Sequence, residues 1–249
     1  MERVTAADLR RVAWRTFLLQ ATWNYERQQG LGWAWCFKPV LDRLYPDAAV
    51  KGQRLAEHTA YFNTQPTMAS LALGAVAGIE EECASGAGPD VGAVQRIKAV
   101  LGSALAALGD RLFWSTLRPF AACLGVLIAL GGSWRGAVAL LVCYNLFHLV
   151  IRWRGVAWGY RRGPAGLGEG LRERLDTLVA RLCVLGAALV GVLVAALLAP
   201  GGEPRGLAFQ ALLAAGLLLG MVAALRARPS PTQWALGLGA LCVVAAWLR

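Results

Sequence analysis

The stretch LVARLCVLGAALVGVLVAALLAP, residues 178–200, holds one charged side chain, Arg181, in 23 positions. A helix needs about 20 predominantly apolar residues to cross the hydrocarbon core of a bilayer upright, with ~17 as a lower limit. Two more such stretches follow. Residues 207–225 contain one polar side chain, Gln210, and residues 234–248 contain no charge, although the latter reach spanning length only by drawing on their flanks. One such segment alone fits the buried helix of a large soluble core. Three in succession, separated by Gly/Pro turns with arginines at their ends, read as transmembrane helices. Composition agrees: 57% of residues are hydrophobic and 16% charged, against roughly a quarter charged in soluble globules.

The net charge of +10 is unevenly placed. Residues 1–82 carry nine basic and nine acidic side chains, so the excess lies entirely beyond them. Arg152, Arg154, Arg161, Arg162, Arg172 and Arg174 cluster just before the 178–200 stretch. No nucleic-acid-binding motif accompanies this charge, and retention of Lys and Arg on the cytoplasmic side explains it better. The 152–177 segment is thus expected to be a cytoplasmic loop, and the 200–206 turn external. Residues 1–15 contain no apolar core before a small-residue cleavage site, so insertion is expected to be directed by the internal spans. The six cysteines form no Cys-x-x-Cys pair, and four sit in apolar runs. Neither a disulfide framework nor a metal site is indicated, and no cofactor is expected.

Working toward the N-terminus, 134–151 and 120–132 are further apolar segments. Two shorter ones precede them: 67–79, ended by Glu80-Glu81-Glu82, and 94–108, closed by Gly109-Asp110. Segments of this length read as re-entrant or interfacial elements. Transporters build substrate sites from such discontinuous helices, because irregular backbone at membrane depth is tolerated only where it lines a cavity. Before them, Thr5-Ala-Ala-Asp8 is a helix start with Thr5 as N-cap. Leu9, Val12, Ala13 and Phe17 then recur at helical spacing, with Arg10, Arg11 and Arg15 on other faces. This is an amphipathic helix for a membrane surface or a partner. Lys38-Pro39 reads as a break, Tyr45-Pro46-Asp47 as a turn, and 53–62 as a second amphipathic helix with His58 on its polar face. The fold class is therefore an all-α integral membrane protein, with N-terminal amphipathic and short re-entrant helices (1–118) followed by several transmembrane helices (119–249).

Catalytic constellations are lacking. His58 and His148 stand about ninety residues apart, and neither reads as a phosphate acceptor. There is no Gly-rich phosphate loop and no Gly-x-Ser-x-Gly, so the chain does not look like an enzyme by itself. Polar side chains beside apolar segments carry more information, because they are costly there. Asn24, Glu26 and Gln28 form one group, Asn63, Thr64 and Gln65 a second at a proline break, and Glu80-Glu81-Glu82 and Asp110 the remainder. A neutral, hydroxyl-rich sugar needs paired donors and acceptors beside aromatic or apolar walls, and the first two groups have that composition. Plainer readings stay open: a solvated helix end for the glutamates, a simple turn for Asn-Thr-Gln-Pro, an interfacial ion pair for Glu26 and Arg27.

An ordered set of motifs goes further. It begins with Leu18-Leu19-Gln20, Trp23-Asn24-Tyr25-Glu26-Arg27, Leu44-Tyr45-Pro46 and Tyr61-Phe62-Asn63-Thr64-Gln65-Pro66. Glu80-Glu81, Ile97-Lys98, Gly109-Asp110, Phe113-Trp114, Thr116-Leu117-Arg118-Pro119 and Gly159-Tyr160 follow. Together these resemble the IID subunit of the mannose-fructose-sorbose family of the bacterial phosphoenolpyruvate-dependent sugar phosphotransferase system, over nearly the whole chain. The resemblance implies a single permease domain in the bacterial inner membrane, paired with a IIC subunit in a hetero-oligomeric sugar conduit with elevator-like movement. It also implies soluble IIA and IIB phosphocarriers, of which IIB phosphorylates the hexose-type sugar on the cytoplasmic side. Asn24, Glu26, Asn63 and Gln65 are the candidate sugar-site residues, with Glu80, Glu81 and Asp110 behind them. Three departures bear on this. The family's usual Gly-Pro-Leu-Ala-Gly is Ser103-Ala104-Leu105-Ala106-Ala107 here, and Arg111 follows Gly-Asp. The segment between the first two C-terminal spans is also shortened, to 199–209. A membrane scaffold or sensor that docks phosphotransferase proteins without moving sugar is the rival reading.

Overall fold

The computed structural model describes residues 3–198. Packing divides the chain into one unit, Met1–Cys183, and a second starting at Val184. The expected spans at 207–225 and 234–248 and the turn at 200–206 lie outside the described residues. The described secondary structure is helical: α1 (Ala6–Arg15), α2 (Gly30–Leu44), α3 (Ala48–His58), α4 (Ala69–Ala84), α5 (Val91–Leu112), α6 (Arg118–Ala129), α7 (Arg135–Arg162) and α8 (Glu169–Leu198). The described residues include no strand, only isolated bridges pairing Gln28 with Asn24 and Phe62.

The N-terminal helices follow their capping chemistry. Thr5 Oγ1 accepts from Asp8 N at 3.3 Å and Asp8 Oδ2 accepts from Thr5 N at 3.1 Å, a complete capping box. Asp8 is buried; burial opposes its ionisation, but Thr5 and Arg43 together hold its carboxyl below the usual range. Leu9, Val12 and Ala13 face inward, as their spacing requires, while Phe17 is partly exposed. Asp47 Oδ1 accepts from Ala49 N and Val50 N and starts α3 after the expected turn.

The expected break at Lys38-Pro39 is not there, because α2 runs through it. A helical proline leaves the carbonyl four residues back without its donor. Here that carbonyl is Trp35 O, which accepts from Arg15 Nη1 at 2.7 Å. The same guanidinium lies 4.7 Å from the Trp35 ring centroid. A long-range contact thus supplies the hydrogen bond that Pro39 removes.

All but the first two residues of the 67–79 stretch belong to α4, a 16-residue helix buried on nearly every side and packed on α7, α5 and α2. Small residues bring α4 and α7 together. A Cβ on Gly74 would strike the Val156 carbonyl and one on Gly159 the Leu71 carbonyl, while Ser70 Oγ donates to Ile151 O at 3.0 Å. Gly155 and Gly159, four apart, present one face for this approach.

Helix α5 does not close at Gly109-Asp110. It continues through one π-helical turn, Phe113–Leu117, into α6, giving an unbroken run Val91–Ala129. Ser103–Ala107 lacks Pro and Gly, so nothing in it interrupts the backbone ladder. In the wide turn Thr116 Oγ1 donates to Arg111 O at 2.8 Å. Gly132, with φ +75°, reverses the chain from α6 to α7. The 152–177 segment is not a loop. Its arginines lie on the end of α7 and the start of α8, joined by a short turn at 163–168. Three helices, Val91–Ala129, Arg135–Arg162 and Ala165–Val194, are long and apolar enough to cross a membrane.

Candidate functional site

Two polar regions sit at opposite ends of α4. At its C-terminal end the Glu80 side chain is fully buried. Arg54, from α3, grips it with two parallel bonds, Nε to Oε1 and Nη2 to Oε2, both 2.7 Å. Tyr45, at the end of α2, donates its hydroxyl to Oε1 at 2.9 Å. Glu57 takes another Arg54 nitrogen at 2.5 Å. His58 Nε2 lies 3.4 Å from Glu80 Oε2, near enough for its N–H dipole to face the carboxylate but not a well-formed hydrogen bond. On the other side of the ring, Trp33 Nε1 donates to His58 Nδ1 at 3.2 Å. That donor requires an unprotonated Nδ1, so the neutral tautomer with hydrogen on Nε2, facing Glu80, fits. Burial likewise pushes the His58 pKa down despite Glu80. For Glu80 burial alone would raise the pKa, but His58 and Arg54 outweigh it and hold the carboxyl at about 2.

Lys98 completes this region from α5. Its buried Nζ donates to His58 O at 2.9 Å, at the C-terminus of α3, and faces the Trp33 and Phe62 rings at 4.9 and 5.6 Å. Helix-end carbonyls and aromatic faces both favour a cation there. Glu81 Oε2 accepts from Val4 N at 2.8 Å and Tyr160 Oη at 2.7 Å, joining the N-terminal segment to α7. Glu82 stays exposed. Three consecutive glutamates thus have three different environments.

The N-terminal end of α4 is built differently. The 24–29 turn pairs with the 62–64 segment: Phe62 N donates to Arg27 O at 3.3 Å and Gln29 N to Phe62 O at 2.8 Å. The Gln29 amide brackets Thr64, donating to its O at 2.8 Å and accepting from its N at 3.2 Å. Asn24 Oδ1 accepts from Arg27 N at 2.8 Å, shaping the turn, and Gln28 takes φ +53° within it. Gln65 Oε1 accepts from Thr67 N at 2.7 Å and Met68 N at 3.0 Å, satisfying donors that open α4. Gly109 packs directly on Gln65 and Met68, which puts Asp110 at this end too. Thr67 Oγ1 and His148 Nδ1 are 2.5 Å apart, and the His148 ring lies between Phe113 and Tyr144, with centroids at 4.2 and 4.6 Å.

The candidate residues therefore separate. Asn24, Glu26, Asn63, Gln65 and Asp110 belong to the N-terminal end; Glu80 and Glu81 lie roughly 20 Å along the helix from Gln65. Glu26, Asn63 and Asp110 are exposed, Asn24 is half-buried, and Gln65 is buried. Thr64 Oγ1 and His148 Nε2 are buried here without a hydrogen-bond partner among the described residues. His58 is buried in the polar cluster rather than turned to a polar surface. Sequence reading missed Trp33 and Arg54. The signal for Arg54 was its spacing with Glu57 and His58, three and four residues on, which places all three on one helical face. Tyr45 and Lys98 stood inside the quoted motifs without an assigned role.

Comparison with known proteins places this architecture. Residues 3–199 match the family described as the PTS system mannose/fructose/sorbose family IID component. The chain is 39% identical over 197 residues to the mannose-specific EIID component of Escherichia coli K12, covering 78% of this chain and 69% of that protein. It is 36% identical over 193 residues to the sorbose-specific EIID component of Klebsiella pneumoniae, with 78% and 70% covered. The fructose permease IID component of Bacillus subtilis is 31% identical, with the same coverage. Among solved structures, a chain of the mannose transporter ManYZ complex with microcin E492 superposes with a TM-score of 0.63 at 31% identity, over 100% of this chain and 98% of that one. With these matches spanning the 24–29 turn, the buried Glu80 cluster and the apolar helices alike, the chain belongs to the IID component family of the mannose/fructose/sorbose phosphotransferase system.

Proposed function

We propose that the chain joins a IIC subunit to form the conduit by which a hexose-type sugar crosses the bacterial inner membrane. A IIB subunit, recharged by IIA, phosphorylates the sugar as it reaches the cytoplasm. In this reading the chain contributes no reacting group; it binds, orients and moves the substrate within a single permease domain. The observation that carries the reading is the N-terminal end of α4, where an apolar helix meets a turn rich in amide, hydroxyl and carboxylate groups. Asn24, Glu26, Asn63 and Asp110 are the sugar-facing candidates, and Gln65 supports them by holding the start of α4. Glu80 and Glu81 act at a distance, fixing the helix on which that turn rests. An elevator-like displacement needs such a rigid body, and the close α4–α7 seam suits one.

The deciding measurement is phosphoenolpyruvate-dependent sugar uptake in vesicles containing the chain, its IIC partner and the soluble phosphocarriers. Uptake that requires all of them supports the conduit. Assembly with IIB but no uptake would favour the docking scaffold, a reading to which the unbroken helix through Ser103–Ala107 and the 2.6 Å ion pair from Arg111 to Asp176 lend weight. Orientation is tested separately. A single cysteine in the 163–168 turn, in a background without native cysteines, should react only from the cytoplasmic side.

A further inference from the structure

Helix α7 changes character abruptly along its length. Residues 136–151 carry no charged side chain, whereas Arg152, Arg154, Arg161 and Arg162 crowd its last eleven positions. Where the change occurs, α1 lies alongside and the two helices enclose a groove of about 380 Å³. Arg10 of α1 and Arg154 and Arg161 of α7 line it, together with Trp153, Trp158 and the buried Leu9. None of the three arginines has an acidic partner among the described residues, and no acidic side chain lines the groove. Arg161 bonds only a carbonyl of its own helix, Ala157 O at 3.2 Å. Other arginines of this protein are engaged: Arg54 with Glu80, Arg43 with Asp8, Arg111 with Asp176.

Below the groove, Leu146, Leu149 and Val150 of α7 are exposed apolar side chains. Trp153 stands at the junction, packed edge-on against Trp14 at 5.3 Å. Tryptophan prefers this depth, between hydrocarbon and water. Guanidiniums without acidic partners, indole rings and an exposed apolar strip thus follow one another along a single helix. Guanidinium matches a phosphate group with two parallel donors, and basic pockets between membrane helices recognise anionic headgroups.

We propose that the α1–α7 groove binds the headgroup of an anionic phospholipid. Its phosphodiester is held by Arg10, Arg154 and Arg161, its glycerol region lies against Trp153 and Trp158, and its acyl chains run down α7. The site would fasten the amphipathic α1 to the membrane surface through lipid as well as through protein. It depends on the membrane placement of α7 and not on which sugar is moved.

The test uses the full-length chain, alone or with the membrane partner that co-purifies, stripped of lipid in detergent. Phosphatidylglycerol, phosphatidylcholine or inorganic phosphate is then added, and bound lipid is counted by native mass spectrometry alongside the thermal midpoint. Phosphatidylglycerol should be retained about tenfold over phosphatidylcholine and should raise the midpoint more. Arg10→Gln, Arg154→Gln and Arg161→Gln should each lower that preference roughly two- to fivefold, and the triple variant should bring it near parity. Replacing all three with lysine should keep most of it, which separates lost charge from lost folding. Arg135→Gln, at the other end of α7, should change nothing. Equal retention of the two lipids by the unaltered chain, or an undiminished preference in the triple Gln variant, would overturn the proposal. So would inorganic phosphate alone reproducing the whole midpoint shift, which would make this a free-phosphate site.

Discussion

The two ends of α4 look alike in sequence and differ in what their polar groups do. Both place hydrogen-bonding side chains against an apolar helix, Asn63-Thr64-Gln65 at one end and Glu80-Glu81-Glu82 at the other. At the Glu80 end the charges are closed off, with both carboxylate oxygens engaged and three side chains, Tyr45, Arg54 and His58, converging on them from the end of α2 and from α3. At the Asn63 end the backbone is tightly held, yet Asn63 is exposed and Thr64 Oγ1 and His148 Nε2 keep unused capacity. A network whose charges are all paired gives rigidity, even with one ring nitrogen, His58 Nε2, short of a good bond; accessible polar groups held in place with bonding capacity to spare are what a ligand can use. The comparison teaches that polar residues at apolar depth must be sorted by satisfaction as well as by position.

The largest expected effect comes from opening the closed end. Glu80→Ala strands the Arg54 guanidinium in the interior, and removing one partner of a buried pair costs about 3–5 kcal/mol. Thermal unfolding of the purified assembly should show it, and Arg54→Met combined with Glu80→Leu should recover much of the loss. If Glu80→Ala is as stable as the unaltered chain, the cluster is not what fixes α4.

Gln65→Ala probes the other end structurally. It removes the acceptor for Thr67 N and Met68 N, and loss of such a cap costs about 0.5–2 kcal/mol. Stability should drop less than for Glu80→Ala, while uptake falls more than stability alone accounts for. Asn63→Ala and Glu26→Gln then separate function from fold. Both side chains are exposed, so unfolding should scarcely change. A lost hydrogen bond to a neutral sugar is worth on the order of 0.5–1.5 kcal/mol, or up to ~3 where a partner is stranded. Uptake should fall several-fold to about a hundredfold with assembly intact. Wild-type transport by all of the Asn24, Glu26, Asn63 and Gln65 variants would remove the sugar site from this end.

The most gradual effect is on pH. His58 is held neutral, so its contribution is complete above the ordinary histidine pKa near 6.5 and is lost as pH falls below that value. Glu80 has its pKa depressed from 4.5 to about 2, so its contribution is complete above 4.5 and is lost as pH falls through that window. Stability should therefore decline in two steps on acidification. His58→Gln should flatten the upper step and shrink the lower one without abolishing it, since Arg54 still holds Glu80; a profile unchanged by that substitution would count against a buried neutral His58.

Much of the architecture was readable from side-chain chemistry close in sequence. Thr5 with Asp8, Asp47 before α3, Gly132 between α6 and α7, and the charge-free run from 136 to 151 all act within a few residues of themselves. Hydropathy identified the membrane class because the bilayer acts on each segment alone, and the order of short motifs pointed to the family. Tertiary structure decided what depends on partners distant in the chain. Pro39 stays inside a helix because Arg15, twenty-four residues away, takes the carbonyl it frees. Gly109-Asp110 continues a helix rather than closing one, because α5 packs its glycine on Gln65 and runs on through the π turn. Of three adjacent glutamates, Glu80 alone is buried and bridged to Arg54 and Tyr45. Local sequence cannot distinguish the three, because the energy that separates them lies in desolvation and pairing, which exist only once α2, α3 and α4 have come together.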